Sequence, residues 1–239
     1  MYISETYSTN SLMKALLANG EWPEGEEILY TDYQTAGRGQ VGNTWESEEG
    51  KNILLSVLLR RPSIKIEEQF VLSEVFPLAV VEAVESIVGE IGLRIKWPND
   101  IYYGNNKLAG ILIENTLSEG QIENAILGIG LDVNQTEWHS DAPNPISLRQ
   151  ITGREWDRQT LIDAIVSRLK KRLEKWNRED LKQAYMLRLF RRDEYANYAD
   201  SNGMFKAAIR DIDEFGQLVL EDEKGIRRTY GFKEIKYIL

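Results

Sequence analysis

Cysteine is absent from this 239-residue chain, and histidine occurs once, at His139. Those absences remove disulfide frameworks, thiolate catalysis and Cys/His zinc sites, and leave a Ser-His-Asp triad no histidine to spare. Positive charge is also short. Lys and Arg number 29 against 38 Asp and Glu, a formal charge of −9. No overall field attracts nucleic acid or anionic lipid, so any anion has to be held by a local site. No stretch of about 18 uncharged apolar residues could span a bilayer. The start, Met1-Tyr2-Ile3-Ser4-Glu5-Thr6, lacks the basic-then-apolar order of a secretion signal, and a cytoplasmic location is expected. Chemistry is left to lysine, arginine, carboxylates and backbone amides.

What is present suits a globular fold. Hydrophobic residues at 42% and charged residues at 28% supply a real core, and the length suggests one large domain with a small companion. Ser8-Thr9-Asn10 precede Leu12, Met13, Ala15, Leu16 and Leu17, with Gly20 behind them. This is the pattern of a short capped helix whose first N–H groups are free. Strands are expected at 28–33 and 53–59, joined by an unusually long glycine-rich loop. Residues 69–91 read as a buried helix with Pro77 in its first turn or at a kink. A strand-rich run follows at 93–97, 101–103, 107–115 and 122–133, and its short connections favour antiparallel neighbours. Helical spacing returns from Asp157 to Phe190 through Leu161, Ile165, Leu169 and Leu173, then Leu181, Tyr185 and Leu189. There Arg168, Lys170, Lys171 and Arg172 decorate a solvated face rather than a nucleic-acid patch. Beyond Arg192, short β segments punctuated by Gly203, Gly216, Gly225 and Gly231 predict a small β barrel. The expected class is α+β: a mixed, largely antiparallel sheet packed with helices over residues 1–190, then a small β domain over 191–239.

Four segments carry candidate chemistry. In Thr35-Ala36-Gly37-Arg38-Gly39-Gln40-Val41-Gly42-Asn43-Thr44-Trp45, three glycines beside an arginine either make a flexible loop or let backbone and guanidinium close on a phosphate or carboxylate. The segment is neither a P-loop nor a strand-to-helix dinucleotide fingerprint. Lys96-Trp97-Pro98-Asn99-Asp100 presents an amide and a carboxylate after a rigid step, as a turn or as a site. Lys107 opens the strand Lys107-Leu108-Ala109-Gly110-Ile111-Leu112-Ile113-Glu114, either as a solvated strand end or as a functional cation, and Gly110 suggests close approach by a ligand or another backbone. Gly128-Ile129-Gly130-Leu131-Asp132-Val133-Asn134 adds two strand glycines and one acid in an apolar run.

In this order, together with Ser8-Thr9-Asn10 and Tyr33-Gln34, these segments resemble the biotin protein ligase family along the whole chain. The resemblance implies a class II synthetase-like catalytic domain and a C-terminal SH3-like β barrel. It implies an ATP-dependent, AMP-forming reaction in which biotin and MgATP give biotinyl-5′-AMP, followed by transfer to a lysine of a biotin carboxyl carrier protein. Ser8, Thr9, Asn10 and Gln34 would hold the ureido and ring end of biotin. Gly37, Arg38, Gly39, Gln40 and Gly110 would surround its carboxylate and the phosphate, with Lys107 between the two. Arg38 and Lys107 are the implied catalytic residues. Asn43, Trp45, Asn99, Asp100 and Asp132 would serve the nucleotide, with Asp100 able to ligate Mg²⁺. Many relatives carry a basic residue where Gln40 stands, and often another at Asn43, so fewer charges hold the adenylate here. The family often has Asn where Asp132 stands, and an ionised carboxylate can only accept a hydrogen bond. The Ser-Thr-Asn motif at residue 8 leaves no room for the DNA-binding domain of repressor-type members, so the chain is expected not to bind DNA. A homodimer is the possible assembly. A lipoate or octanoate ligase or transferase of similar fold is the nearest alternative, but its Arg-Arg, Gly-Gly-Gly and His-Asp segments are lacking. A non-catalytic binding module is the other.

Overall fold

The computed structural model describes every residue except Val41 and Asp141, so the Val41 position of the glycine-rich segment lies outside the described residues. A seven-stranded sheet has the order β1-β2-β3-β7-β6-β5-β4. Its strands are β1 (Tyr2–Thr6), β2 (Ile28–Gln34), β3 (Ile53–Arg60), β4 (Arg94–Lys96), β5 (Asp100–Tyr103), β6 (Asn106–Ser118) and β7 (Gln121–Leu131). β1 runs parallel to β2 through the helix α1 (Thr9–Ala18), and all other neighbours are antiparallel. The sheet is therefore mixed and largely antiparallel, as expected.

Side-chain alternation along β3 and β7 decides where a ligand can go. On β7, Ala125, Leu127, Ile129 and Leu131 join the main core, as do Ile53, Leu55 and Val57 on β3. Helix α2 (Phe70–Val88) covers that face, backed by α4 (Arg158–Glu174) and α5 (Arg178–Arg188). Ion pairs from Glu74, Glu82 and Glu85 on α2 to Arg178, Arg172 and Arg188 tie the helices together. Burial holds the Glu74 carboxyl above the usual carboxylate range despite Arg178. Residues of the opposite parity, Leu58 and Ile126, pack under α1 with Met13, Trp22 and Leu29. Further along that same face the side chains shrink to Ser56, Gly128, Gly130 and Gly110, and a cleft opens.

Pro77 lies inside α2 rather than in its first turn. Ser8 sits at the N-cap of α1 with extended backbone, but its side chain makes no capping bond. Two strands that the sequence pattern did not suggest, β1 and β8 (Ala196–Asp200), are present, with a short helix α3 (Leu148–Thr152). With β9 (Gly203–Ile212), β10 (Leu218–Asp222), β11 (Arg227–Tyr230) and β12 (Lys236–Tyr237), β8 forms a five-stranded sheet of order β11-β10-β9-β8-β12. Among the described residues its edges β11 and β12 are not paired with each other, so hydrogen bonding leaves the sheet open. It packs on the larger sheet and its helices through Trp97, Phe190, Tyr198 and Tyr237, all within one core. No helix among the described residues is long and apolar enough to cross a membrane.

Candidate active site

The floor of the cleft is three adjacent strands read across their register. Ser56 of β3 faces Gly128 of β7, which faces Leu112 of β6; one step along, Leu54, Gly130 and Gly110 line up in the same way. Missing side chains on β6 and β7 are what make the space. A Cβ on Gly130 would stand 2.3 Å from Trp45 Cε2, and one on Gly128 would stand 2.3 Å from Asn10 Oδ1. Both are well inside van der Waals contact, so these two glycines are the seats of Trp45 and Asn10.

The glycine-rich segment folds over this floor as a small hairpin. Arg38 bridges Thr44, Gly39 N donates to Asn43 O at 3.0 Å, and Trp45 N donates to Gly37 O at 2.9 Å. The indole of Trp45 is thereby laid on Gly110 and Gly130, and its buried Nε1 has no partner. The Gly39 amide is thus bonded within the hairpin. Arg38 reaches across: Nη1 donates to Ser11 Oγ at 2.6 Å and Nη2 to Glu114 Oε1 at 3.2 Å.

One end of the cleft is a network of amide and hydroxyl groups anchored on the Glu114 carboxylate. Thr9 donates through both N and Oγ1 to Gln34 Oε1, at 2.8 and 3.2 Å. Asn10 Nδ2 donates to Glu114 Oε2 at 3.0 Å, and its Oδ1 lies 2.6 Å from the Ser56 hydroxyl. At the other end Lys107 Nζ pairs with Asp100 Oδ2 at 2.7 Å and lies 5.7 Å from the centre of the Trp45 ring. The arrangement sets hydrogen-bonding groups, backed by the Arg38–Glu114 ion pair, at one end and the Lys107–Asp100 ion pair at the other.

Ser8, Thr9, Asn10, Gln34, Arg38, Gly39, Gln40, Asn43, Trp45, Asp100, Lys107 and Gly110 all line this cleft. Gly37, Asn99 and Asp132 do not. Gly37 is tucked under Trp45, where a Cβ would meet Trp45 O at 2.3 Å. Asn99 turns into a neighbouring groove beside the C-terminal sheet. Asp132 continues the row of Gly128 and Gly130 but is sealed in, 2% exposed, with Oδ1 accepting from Asn52 Nδ2 at 2.9 Å. Burial pushes its carboxyl well above the usual carboxylate range, against the pull of Lys107. Ser56 and Glu114 were missed as site residues. Ser56 interrupts apolar β3 and Glu114 follows the apolar run 111–113 within β6, and that was the available signal.

No group of three His, Cys, Asp or Glu side chains among the described residues could hold a resident metal. Asp100 is the one carboxylate among the described lining residues, and it is already neutralised by Lys107.

The cleft thus sets hydrogen-bonding groups and two ion-paired cations, Arg38 and Lys107, over a glycine floor. Residues 3–132 match the model of the biotin/lipoate A/B protein ligase family. The chain is 34% identical over 222 residues to the bifunctional ligase/repressor BirA of Bacillus spizizenii, covering 90% of this chain and 67% of that one. It is 33% identical over 175 residues to the biotin–[acetyl-CoA-carboxylase] ligase of Mycobacterium tuberculosis, covering 72% of this chain and 62% of that one. A biotin protein ligase from Aquifex aeolicus, solved with biotin and ATP, superposes over 100% of this chain and 98% of its own with a TM-score of 0.81 and 28% identity. The chain belongs to the biotin/lipoate A/B protein ligase family.

Proposed function

We infer that the cleft joins biotin to ATP and then to a protein lysine: the chain acts as a biotin protein ligase. The observation that carries the residue roles is Lys107, held by Asp100 at the end of the cleft opposite the Thr9-Asn10-Gln34-Ser56 network. Biotin lies along the floor with its ureido ring among Ser8, Thr9, Asn10 and Gln34, and its carboxylate at Lys107. Arg38, Gln40 and Asn43 flank the phosphate, and Trp45 packs beside the adenine.

In the first step a biotin carboxylate oxygen attacks the α-phosphorus of MgATP, the bond to the leaving pyrophosphate breaks, and biotinyl-5′-AMP forms. Lys107 exchanges Asp100 for the two anions as they converge, and Arg38 exchanges Glu114. This stabilises charge that is concentrated only in the transition state. Asp100 is the carboxylate freed to face magnesium on the nucleotide. In the second step a neutral lysine amine of the carrier attacks the acyl carbon, AMP leaves with the bonding electrons, and the surplus proton passes to solvent. Positioning by the hairpin makes both steps effectively intramolecular.

Residues 1–190 form the catalytic unit and 191–239 an SH3-like unit, in a cytoplasmic enzyme. Biotin-dependent exchange of labelled pyrophosphate into ATP tests the reading. Exchange with biotin but not lipoate supports it, and exchange with lipoate alone would replace it by the lipoate alternative.

A further inference from the structure

A second groove opens beside the cleft and shares Gln40 and Leu112 with it. Its base is the seam between α2 and the C-terminal sheet. Phe70 packs on Gly216, whose positive φ and lack of room for a Cβ explain the glycine, and Trp97 Nε1 donates to Gly216 O at 2.9 Å. Two aromatic rings, Phe215 and Phe232, stand on the outer lip and are 68% and 46% exposed. The inner wall carries carboxamides. Asn99 is 4% exposed and its Oδ1 has no hydrogen-bond partner. Asn115 Oδ1 is also buried and unpartnered, while its Nδ2 donates to Gln69 Oε1 at 3.3 Å.

Two buried carbonyl oxygens without donors mark a place that a donor-bearing ligand completes. Carboxylates and phosphates bring only acceptors, so neither biotin's carboxylate nor the nucleotide's phosphates satisfy them. A peptide brings backbone N–H groups, and a lysine brings three further donors. Exposed aromatic rings are the usual anchors of a protein interface. The shared walls make the groove an antechamber of the cleft.

Resting on the ligase reading, we propose that this groove seats the lysine-bearing segment of the acceptor protein. Its N–H groups and ammonium meet Asn99 and Asn115, and its apolar flanks rest on Phe215 and Phe232. Gln40 and Leu112 form the threshold over which the amine, once deprotonated, reaches the acyl carbon.

The test separates the two half-reactions in the full chain, comparing the parent with Phe215→Ala/Phe232→Ala and with Asn115→Leu. Pyrophosphate exchange, which needs only biotin and ATP, should stay within twofold of the parent. KM for the carrier domain should rise about tenfold, the usual loss when an aromatic anchor is removed. Discharge of the adenylate to free Nα-acetyl-lysine should not change, because so small an acceptor does not need the lip. Carrier KM values matching an active parent would overturn the proposal alone. Concentration-dependent dimerisation that is lost in the variants, with carrier KM unchanged, would give the groove to a second copy and also overturn it. A parent without biotin-dependent exchange would overturn the ligase reading and the proposal with it.

Discussion

Adding one methyl group at Gly130 should damage nucleotide use while sparing the fold. The Gly130 Cβ would stand 2.3 Å from Trp45 Cε2 and 2.4 Å from Nε1, whereas carbon atoms settle at about 3.5–4.0 Å. The indole must retreat by more than an ångström. Its backbone cannot follow freely, because Trp45 N is bonded to Gly37 O at 2.9 Å. Overpacking of this kind costs roughly 1–3 kcal/mol. If it falls on the ring's place beside the nucleotide, KM for ATP rises roughly 5- to 150-fold. Gly128→Ala is the internal contrast: its Cβ would meet Asn10 Oδ1 at 2.3 Å, so KM for biotin should rise instead. Initial rates of pyrophosphate exchange, with each substrate varied in turn, read both, and thermal melting controls for folding. Both KM values within twofold of the parent in Gly130→Ala, at unchanged melting temperature, would refute the reasoning.

Lys107→Ala should lower the exchange rate by roughly 30- to 1000-fold, the 2–4 kcal/mol typical of a lost transition-state charge, at nearly constant melting temperature; a rate within twofold would return Lys107 to the role of a solvated strand end. Asp132 should weaken the protein as pH rises. Its raised folded pKa means the native state binds the proton more tightly than the unfolded chain, so its stability contribution is full below the ordinary carboxylate range and drains as pH climbs through that window towards the raised value. Asp132→Asn keeps the acceptor for Asn52 and removes the titration, so it should be more stable than the parent by about 1 kcal/mol near neutral pH, with the gap closing towards about pH 4; denaturant melts showing a pH-independent gap would contradict this. Gln40→Arg adds a cation to the wall of the cleft and should slow release of biotinyl-5′-AMP about tenfold or more, since one charge-assisted contact contributes roughly 1.5–3 kcal/mol; equal release rates in a filter assay at one salt concentration would count against it.

Most strands of the large sheet, and the antiparallel pairing of its later ones, were legible because those strands are apolar and their turns short, as in the Gly104-Asn105 turn between β5 and β6. β1 was not, because an edge strand reading Tyr-Ile-Ser-Glu-Thr needs no clean alternation when only Thr6 is buried. β8 escaped for a similar reason: Tyr198 is its one buried residue. Within the site, most of the lining could be named from motifs, but the facing of adjacent residues could not. Asn99 and Asp100 are neighbours in sequence and enter different grooves. Asp132 shares the parity of Gly128 and Gly130, yet Asn52, 80 positions away, takes its carboxylate into the interior. Such long-range partners leave no local mark in a single sequence.

The most direct measurement is the intact mass of a biotin carboxyl carrier domain after incubation with the protein, biotin and MgATP. A biotin protein ligase built on this cleft adds one biotinyl group to one lysine, needs ATP, and loses that activity in Lys107→Ala. An unmodified carrier in the complete mixture, or a carrier that accepts lipoate in preference to biotin, would contradict it.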